Sequence, residues 1–506
     1  MKLSELISPE HILDVRGDLD VEVKGMASHS GKVTPGDLFV AVPGTALDGH
    51  FFLQEAAARG AAAAVVEKLQ DSVAGKLTQV RVLDARKAMA FLAARFYGEP
   101  AKDLRLIGIT GTNGKTTTAH ILESILEAAG HRVGVLGTIS YRWAKQLLPA
   151  PNTTPDSLEL QKLLALMKEQ GVSHVVMEVT SHALQQKRVL GCSFQVGVFT
   201  NLTRDHLDYH GSMEAYLEAK SLLFKEHLKN RAEGGWALLN LHDPASRIIS
   251  QGCGAKIAWY GIGDCGDFKA VEWEGDRDGS RILLSFPGGE LSLESPLIGE
   301  PNVLNAVAAC GCAWALGVEP EKWREGLGRL SPVPGRMERV EVPGMNSEIT
   351  VLVDYAHTPD ALERALSTAR KLAKGRLIVV FGCGGDRDRG KRPMMAQAAA
   401  LKSDLAVVTS DNPRSEEPMA IIEEILEGFR GTNLQRLSPE EPTCAPAYTV
   451  LEDRAEAIRW AVRRASHGDV VLIAGKGHEN YQILRGRTIP FEDREVAREA
   501  LLERCQ

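Results

Sequence analysis

A chain of 506 residues is too long for one ordinary hydrophobic core and predicts roughly three to four domains. Apolar residues at 44% and charged residues at 25% are the balance of a folded globular protein rather than a disordered one. With 59 Lys and Arg against 66 Asp and Glu, the net charge is −7, which argues against a nucleic-acid partner.

In chain order, short apolar runs alternate with stretches of helical period, the pattern of α/β folds with mainly parallel sheets. Residues 1–8 lead into charged residues without an apolar signal segment. Runs at 37–42 and 62–66 belong to a first region that ends at the turn-forming Gly98-Glu99-Pro100. The next run, 104–110, has the pattern of a buried strand leading straight into glycines, and further strands are expected at 133–136, 175–179, 196–199 and 236–240. Ser331-Pro332-Val333-Pro334-Gly335-Arg336 reads as a hinge. Beyond it, runs at 349–353, 377–381, 405–408 and 470–474, separated by helical stretches, predict a doubly wound sheet. No apolar run reaches the ~18–20 residues that span a bilayer. Eight scattered cysteines without a C-x-x-C pair suggest reduced thiols and a cytoplasmic location.

Chemistry is concentrated after the strand at 104–110. There Gly111-Thr112-Asn113-Gly114-Lys115-Thr116-Thr117 precedes Leu122, Ile125, Leu126 and Ala129 at helical spacing, with Gly130 as the stop. Glycines admit backbone N–H groups to phosphate oxygens, and the helix N-terminus adds positive potential. Lys115 is placed to reach the β- and γ-phosphates of ATP, and the Thr116 hydroxyl to ligate Mg²⁺. The spacing departs from G-x-x-x-x-G-K-[ST], because Ile109 stands where the first glycine belongs. A glycine-rich turn with an exposed lysine is the bland alternative. Glu178 falls at the end of the strand at 175–179, where open α/β sheets face their ligands, and is a candidate Mg²⁺ ligand. Spacing leaves Asp205, His206 and Asp208 equally open after the next strand. Lys220, by itself, reads as a solvated helix lysine.

These residues resemble the Mur ligases, ATP-dependent amino-acid ligases of peptidoglycan precursor synthesis. The resemblance rests on 111–117, Met177-Glu178-Val179-Thr180-Ser181-His182, 203–210, Asn302-Val303-Leu304-Asn305, Pro334-Gly335-Arg336 and Asp354-Tyr355-Ala356-His357-Thr358-Pro359. It implies three α/β domains. They are an N-terminal α/β substrate-binding domain (1–102), a central P-loop ATPase domain with a mainly parallel sheet (103–334), and a C-terminal doubly wound, Rossmann-like amino-acid-binding domain (335–506). Val33 to Ala41, Asn152-Thr153-Thr154-Pro155 and Asp411-Asn412-Pro413-Arg414 are similar to the members that add meso-diaminopimelate to UDP-N-acetylmuramoyl-L-alanyl-D-glutamate.

The resemblance also implies roles. Gly111, Thr112, Asn113, Gly114, Lys115, Thr116, Thr117, Asn302, Arg336 and Asp354 would contact ATP. Thr116, Glu178, His206 and a Lys220 carboxylated by CO₂ would hold Mg²⁺. Ser28, Ser30, Thr45, Asn152, Thr153, Thr154, Thr180, Gln186 and Arg188 would hold the UDP-muramoyl dipeptide, although the chain reads His29-Ser30-Gly31 where the family often has Asp-Ser-Arg. Arg387, Asp411, Asn412, Pro413, Arg414, Gly475 and Glu479 would line the diaminopimelate pocket. Lys115, Glu178, His206 and Lys220 form the implied catalytic set, in a monomer acting on small molecules without nucleic acid or membrane insertion. Competing readings are an L-lysine-adding relative, a folylpolyglutamate synthetase, a P-loop ATPase switch and a dinucleotide oxidoreductase. The last fails because Arg387 breaks the glycine pattern that starts at Gly382.

Overall fold

Strands that are apolar throughout need cover on both faces, and the computed structural model contains three sheets built that way. It describes residues 1–506 except 45–46, 264, 345–346, 442–445 and 505–506. The first sheet has five strands in the order Asp14–Arg16, Thr78–Arg81, Ala63–Val66, Asp37–Val40 and Gly25–Ala27. All its pairings are parallel except the first. Separate apolar clusters around Leu38 and Phe39, neighbours that point to opposite sides, cover its two faces.

The second sheet has eleven strands. Its parallel core runs Val133–Leu136, His174–Glu178, Arg105–Thr110, Phe194–Phe199, Trp236–Asn240 and Lys256–Ile262, with Phe268–Asp276 added alongside. The helices Lys115–Ala128 and Glu300–Ala315 pack on one face through Ile121, Leu122, Val303 and Val307. The helix Ser157–Glu169 packs on the other through Leu160, Leu163 and Leu164. Both edges of this sheet are antiparallel. Ser140–Trp143 and Gln146–Pro149 extend one side, and Gly279–Phe286 and Gly289–Ser295 extend the other. The sheet is mainly parallel, as expected, and its margins add antiparallel strands that the sequence reading did not include. Gly279–Phe286 and Gly289–Ser295 alternate buried and more exposed residues instead of forming solid apolar runs, with Asp278-Gly279 and Gly288-Gly289 as their turn signals, and Gln146–Pro149 is exposed throughout.

The third sheet has seven strands in the order Glu338–Arg339, Thr350–Asp354, Val470–Ala474, Leu377–Phe381, Leu405–Val408, Ala447–Val450 and Gln435–Arg436. Only the first pairing is antiparallel. Val470–Ala474, made late in the chain, is inserted between two strands made much earlier. Helices Pro359–Leu372 and Lys391–Lys402 cover one face, and Arg454–Arg464 with Asp493–Arg504 the other. No helix among the described residues is long and apolar enough to cross a membrane.

Candidate active site

The C-terminal ends of the central parallel strands share one edge of the sheet, and the loop 111–117 leaves Arg105–Thr110 at that edge. Gly111 (φ +149°) lies against Thr200 and Asn201, and a Cβ there would collide with the Thr200 hydroxyl. Only glycine lets the loop pass this closely. The loop is then stitched to the next strand's end: Asn113 N donates to Asn201 Oδ1 at 2.9 Å and Thr203 N to Thr112 Oγ1 at 3.0 Å. Lys115 Nζ donates to the carbonyls of Gly111 (2.9 Å) and Thr112 (2.8 Å). Burial lowers its pKa, with Glu178 and Asp205 opposing the shift.

Glu178 is the last residue of its strand and is buried. Its Oε2 accepts from the Thr116 and Thr138 hydroxyls, both at 2.9 Å, and its Oε1 from Thr138 N at 2.9 Å. Thr138 was not anticipated from the sequence, though it too follows a strand end. Among the described residues no three His, Cys, Asp or Glu side chains are grouped to hold a metal. The oxygen donors beside the loop are this carboxylate and the two hydroxyls.

The hinge brings in the far side. Gly335 (φ +64°) is pressed so closely on Gly477 and His478 that a side chain would overlap their backbone. Arg336 then reaches across, donating from a terminal guanidinium nitrogen to Thr116 Oγ1 at 3.1 Å while its guanidinium lies 4.5 Å over the Tyr355 ring. Asp354 accepts from Met337 N (2.8 Å) and Ala356 N (2.9 Å), and burial raises its pKa against the pull of Arg336. Asn113 also meets Asp360 at 3.4 Å, and Arg204 meets Asp388 at 3.2 Å. The cleft between the two sides, about 280 Å³, is lined by Thr112 to Thr117, Thr153, Glu178, Thr180, His206, Asn302, Arg336 and Asp354. Asn302 is held by donating to Ile298 O at 2.9 Å.

Of the residues left open after the strand Phe194–Phe199, Asp205 and His206 line this cavity. His206 has a left-handed backbone (φ +53°), an uncommon conformation for a residue with a Cβ, and its Nε2 lies 3.3 Å from Asp205 Oδ2. Asp208 is exposed. The solvated reading of Lys220 is overturned: the residue is 1% exposed, with its ammonium 4.4 Å over the Tyr216 ring. No carboxylate among the described residues lies within 4 Å of it. Burial, reinforced by Lys115 and only partly offset by Asp205, pushes its pKa well below the usual lysine range.

A hydroxyl cluster continues from Glu178. Thr154 Oγ1 donates to Glu178 O at 2.8 Å and lies 3.3 Å from Thr180 Oγ1. Arg188 donates to Thr154 O (2.8 Å) and to Gln186 Oε1 (2.8 Å). Asn152 is exposed and accepts from the Tyr141 hydroxyl through its carbonyl. Ser28 follows the strand Gly25–Ala27 and Ser30 opens a 3₁₀ turn; neither lines the cavity, and Ser30 Oγ donates to Glu55 at 2.8 Å. Thr45 lies outside the described residues.

The C-terminal group gathers at the crevice end of the third sheet. Arg414, half-buried with φ +55°, donates to Gly385 O at 2.7 Å and lies beside Gly384, which Arg387 also flanks. Pro413 is buried, and its carbonyl packs against Gly385. Arg387 is exposed. Gly475 (φ +120°) touches Asp411. Asp411 and Glu479 do not stand alone: the fully buried Lys476 lies 3.0 Å from Glu479 Oε2 and 3.8 Å from Asp411 Oδ1. Sequence reasoning gave Lys476 no role, since a lysine between two glycines looks like an exposed turn.

Fold and cavity together define a phosphate-loop enzyme whose site is assembled from two α/β units. Sequence comparison matches 22–97 to the Mur ligase family catalytic domain, 109–313 to the Mur ligase middle domain, and 335–477 to the Mur ligase glutamate ligase domain. The chain is 46% identical over 507 aligned positions to a UDP-N-acetylmuramoyl-L-alanyl-D-glutamate–2,6-diaminopimelate ligase of Geobacillus thermodenitrificans, covering 100% of both. It is 46% identical to the Geobacter metallireducens protein of the same name, covering 99% of each. A solved structure carrying that name aligns at TM-score 0.68 and 32% identity, over 100% of this chain and 99% of that one. MurF of Thermotoga maritima with ADP shares the fold at TM-score 0.64 and 20% identity, over 96% and 97%. The chain belongs to the Mur ligase family and is an ATP-dependent ligase.

Proposed function

We propose that this ligase adds meso-diaminopimelate to the D-glutamate of UDP-N-acetylmuramoyl-L-alanyl-D-glutamate, the activity in the names of its full-length relatives. The observation that carries the reading is the cavity shared across the hinge, with Lys115, Thr116 and Glu178 on one wall and Arg336 on the other. A carboxylate does not acylate an amine at neutral pH, because oxide would have to leave. Phosphoryl transfer from ATP to the γ-carboxylate gives an acyl phosphate and ADP. The amine of the incoming amino acid then attacks the acyl carbon, and inorganic phosphate leaves from the tetrahedral intermediate. The protein supplies position and charge rather than a covalent nucleophile.

In this reading the loop 111–117, with Asn302, Arg336 and Asp354, holds ATP. Lys115 and Arg336 face the transferring phosphoryl group. A carboxylate and hydroxyls beside phosphates are the kind of partial oxygen set Mg²⁺ takes, so Thr116, Glu178, His206 and a carboxylated Lys220 would hold that ion. When bound it would neutralise phosphoryl charge. Carboxylation suits Lys220: its nitrogen attacks CO₂ as a neutral amine and loses a proton, and its surroundings disfavour the ammonium. Ser28, Ser30, Thr45, Asn152, Thr153, Thr154, Thr180, Gln186 and Arg188 hold the UDP-muramoyl dipeptide. Arg387, Asp411, Asn412, Pro413, Arg414, Gly475 and Glu479 hold diaminopimelate. The domains divide at 102/103 and 334/335, and the enzyme works as a cytoplasmic monomer on small molecules.

Phosphate release, measured with the purified dipeptide nucleotide and a panel of amino acids, tests this. Release should require the nucleotide and meso-diaminopimelate together. Hydrolysis independent of both would favour an ATPase switch, and equal release with L-lysine would reopen the lysine-adding alternative.

A further inference from the structure

The least expected group at the C-terminal crevice is a lysine with no solvent exposure. Lys476 Nζ lies 3.0 Å from Glu479 Oε2, 3.2 Å from Asn412 Oδ1 and 3.8 Å from Asp411 Oδ1. Asn412 also donates to Glu479 Oε2, at 2.8 Å. Two donors thus fix one oxygen of Glu479, while Oε1 takes no hydrogen bond among the described residues. Asn412 is itself held, accepting from Ile483 N at 2.9 Å, and Gln482 donates to Asp411 O at 2.7 Å. The hairpin Tyr481–Leu484 and Arg487–Pro490 therefore braces the whole group from behind.

We propose that Lys476 is a specificity-determining residue: by sitting between Asp411 and Glu479 it tunes the crevice to an amino acid whose distal carbon carries both an ammonium and a carboxylate. The inference rests on the substrate reading above and deepens it. Two carboxylates and one ammonium leave the cluster with a single negative charge, and the half-buried Arg414 guanidinium alongside balances it, while the charge of the exposed Arg387 is screened by water. A distal end bearing both charges is also neutral overall. Each of its groups then meets an opposite charge: the ammonium meets Glu479 Oε1 and the carboxylate meets Arg414. Remove the lysine charge and the crevice carries a net negative charge, which suits the bare distal ammonium of L-lysine better than a zwitterion. Lys476 touches no substrate in this arrangement; it acts through Glu479 and Asn412.

The test compares kcat/KM for meso-diaminopimelate with kcat/KM for L-lysine in three full-length enzymes. In Lys476→Met the ratio should fall at least tenfold, the loss lying mainly in KM for meso-diaminopimelate. In Lys476→Gln, which removes the charge but keeps a hydrogen-bond donor, the ratio should fall to within threefold of the Lys476→Met value. A purely structural lysine would lower both kcat/KM values by a common factor; an unchanged ratio in either folded variant overturns the proposal. If Lys476→Met does not fold, Lys476→Gln decides alone. Wild-type enzyme that releases phosphate equally with either amino acid removes the substrate reading itself, and this proposal with it.

Discussion

The two ends of this active site treat buried positive charge in opposite ways. Around the phosphate loop, Lys115 and Arg336 have no carboxylate within 4 Å among the described residues; they rest on carbonyls, a hydroxyl and an aromatic ring. In the C-terminal unit, Arg392, Arg454 and Lys476 are each locked to acids. Arg392 grips Glu416 with two bonds at 2.8 and 2.9 Å and Glu424 with a third. Arg454 grips Asp493 with two at 2.7 Å, both residues fully buried. A cation left without an internal partner is available to an external anion, at a cost in stability. One already paired contributes rigidity and a tuned net charge. The first arrangement suits chemistry on phosphate, and the second suits choosing between similar amino acids.

At the phosphate loop, activity and stability should separate. Lys115→Ala and Lys220→Ala are each expected to lower kcat by ~10³-fold without lowering the unfolding midpoint by more than ~4 °C. Short carboxylic acids should restore part of the Lys220→Ala activity and none of the Lys115→Ala activity. A folded Lys220→Ala enzyme with wild-type turnover would end the metal-ligand role. Conversely, Asp493→Asn leaves the buried Arg454 without its charge partner, so urea denaturation should show a loss of ~3–5 kcal/mol. The surviving folded enzyme should keep its KM for ATP.

Within the C-terminal unit, Arg414→Ala should raise KM for meso-diaminopimelate by ~100-fold, the scale of a lost charge-assisted pair. It should also narrow the advantage over L-lysine and leave ATP binding unchanged; a retained preference would remove Arg414 from the pocket.

The smallest effect concerns the opposite end of the strand that carries Glu178. His174 is 2% exposed there, its ring centroid 4.2 Å from that of His131, and burial, with His131 and Arg105 nearby, lowers its pKa to about 4. The unfolded chain takes up this proton near pH 6.5, so the stabilisation is complete above that value and is lost as pH falls toward 4. The loss is about 2 kcal/mol at pH 5. His174→Gln should flatten stability over that window in denaturation curves, and an unchanged slope would show that His174 does not titrate there.

Local chemistry explains which parts were legible in the sequence. The phosphate loop is written in adjacent residues, and Gly111 is required by a contact that no side chain could tolerate. Solid apolar runs such as Leu377–Phe381 and Leu405–Val408 announce themselves, because both faces of those strands are covered. The antiparallel margins of the central sheet carry a weaker alternating pattern and were missed. Lys220 and Lys476 look solvated in sequence because burial of a lysine is a tertiary property: Tyr216 covers one, and Asp411 and Glu479 enclose the other. Arg392 was passed over for the same reason.

The hydrogen bond from Arg336 to Thr116 spans 220 residues of sequence, and the strand that shelters Asp354 is Val470–Ala474. On the ribosome, the central sheet and its phosphate loop can fold while the rest of the chain is still being decoded. That nascent half has its lysine and its carboxylate but no opposing guanidinium, and the sheet that presents the guanidinium closes only after residue 474 has emerged. Prematurely terminated products would therefore carry the phosphate loop without the opposite wall of the cavity, and translation itself sets when the site can be completed.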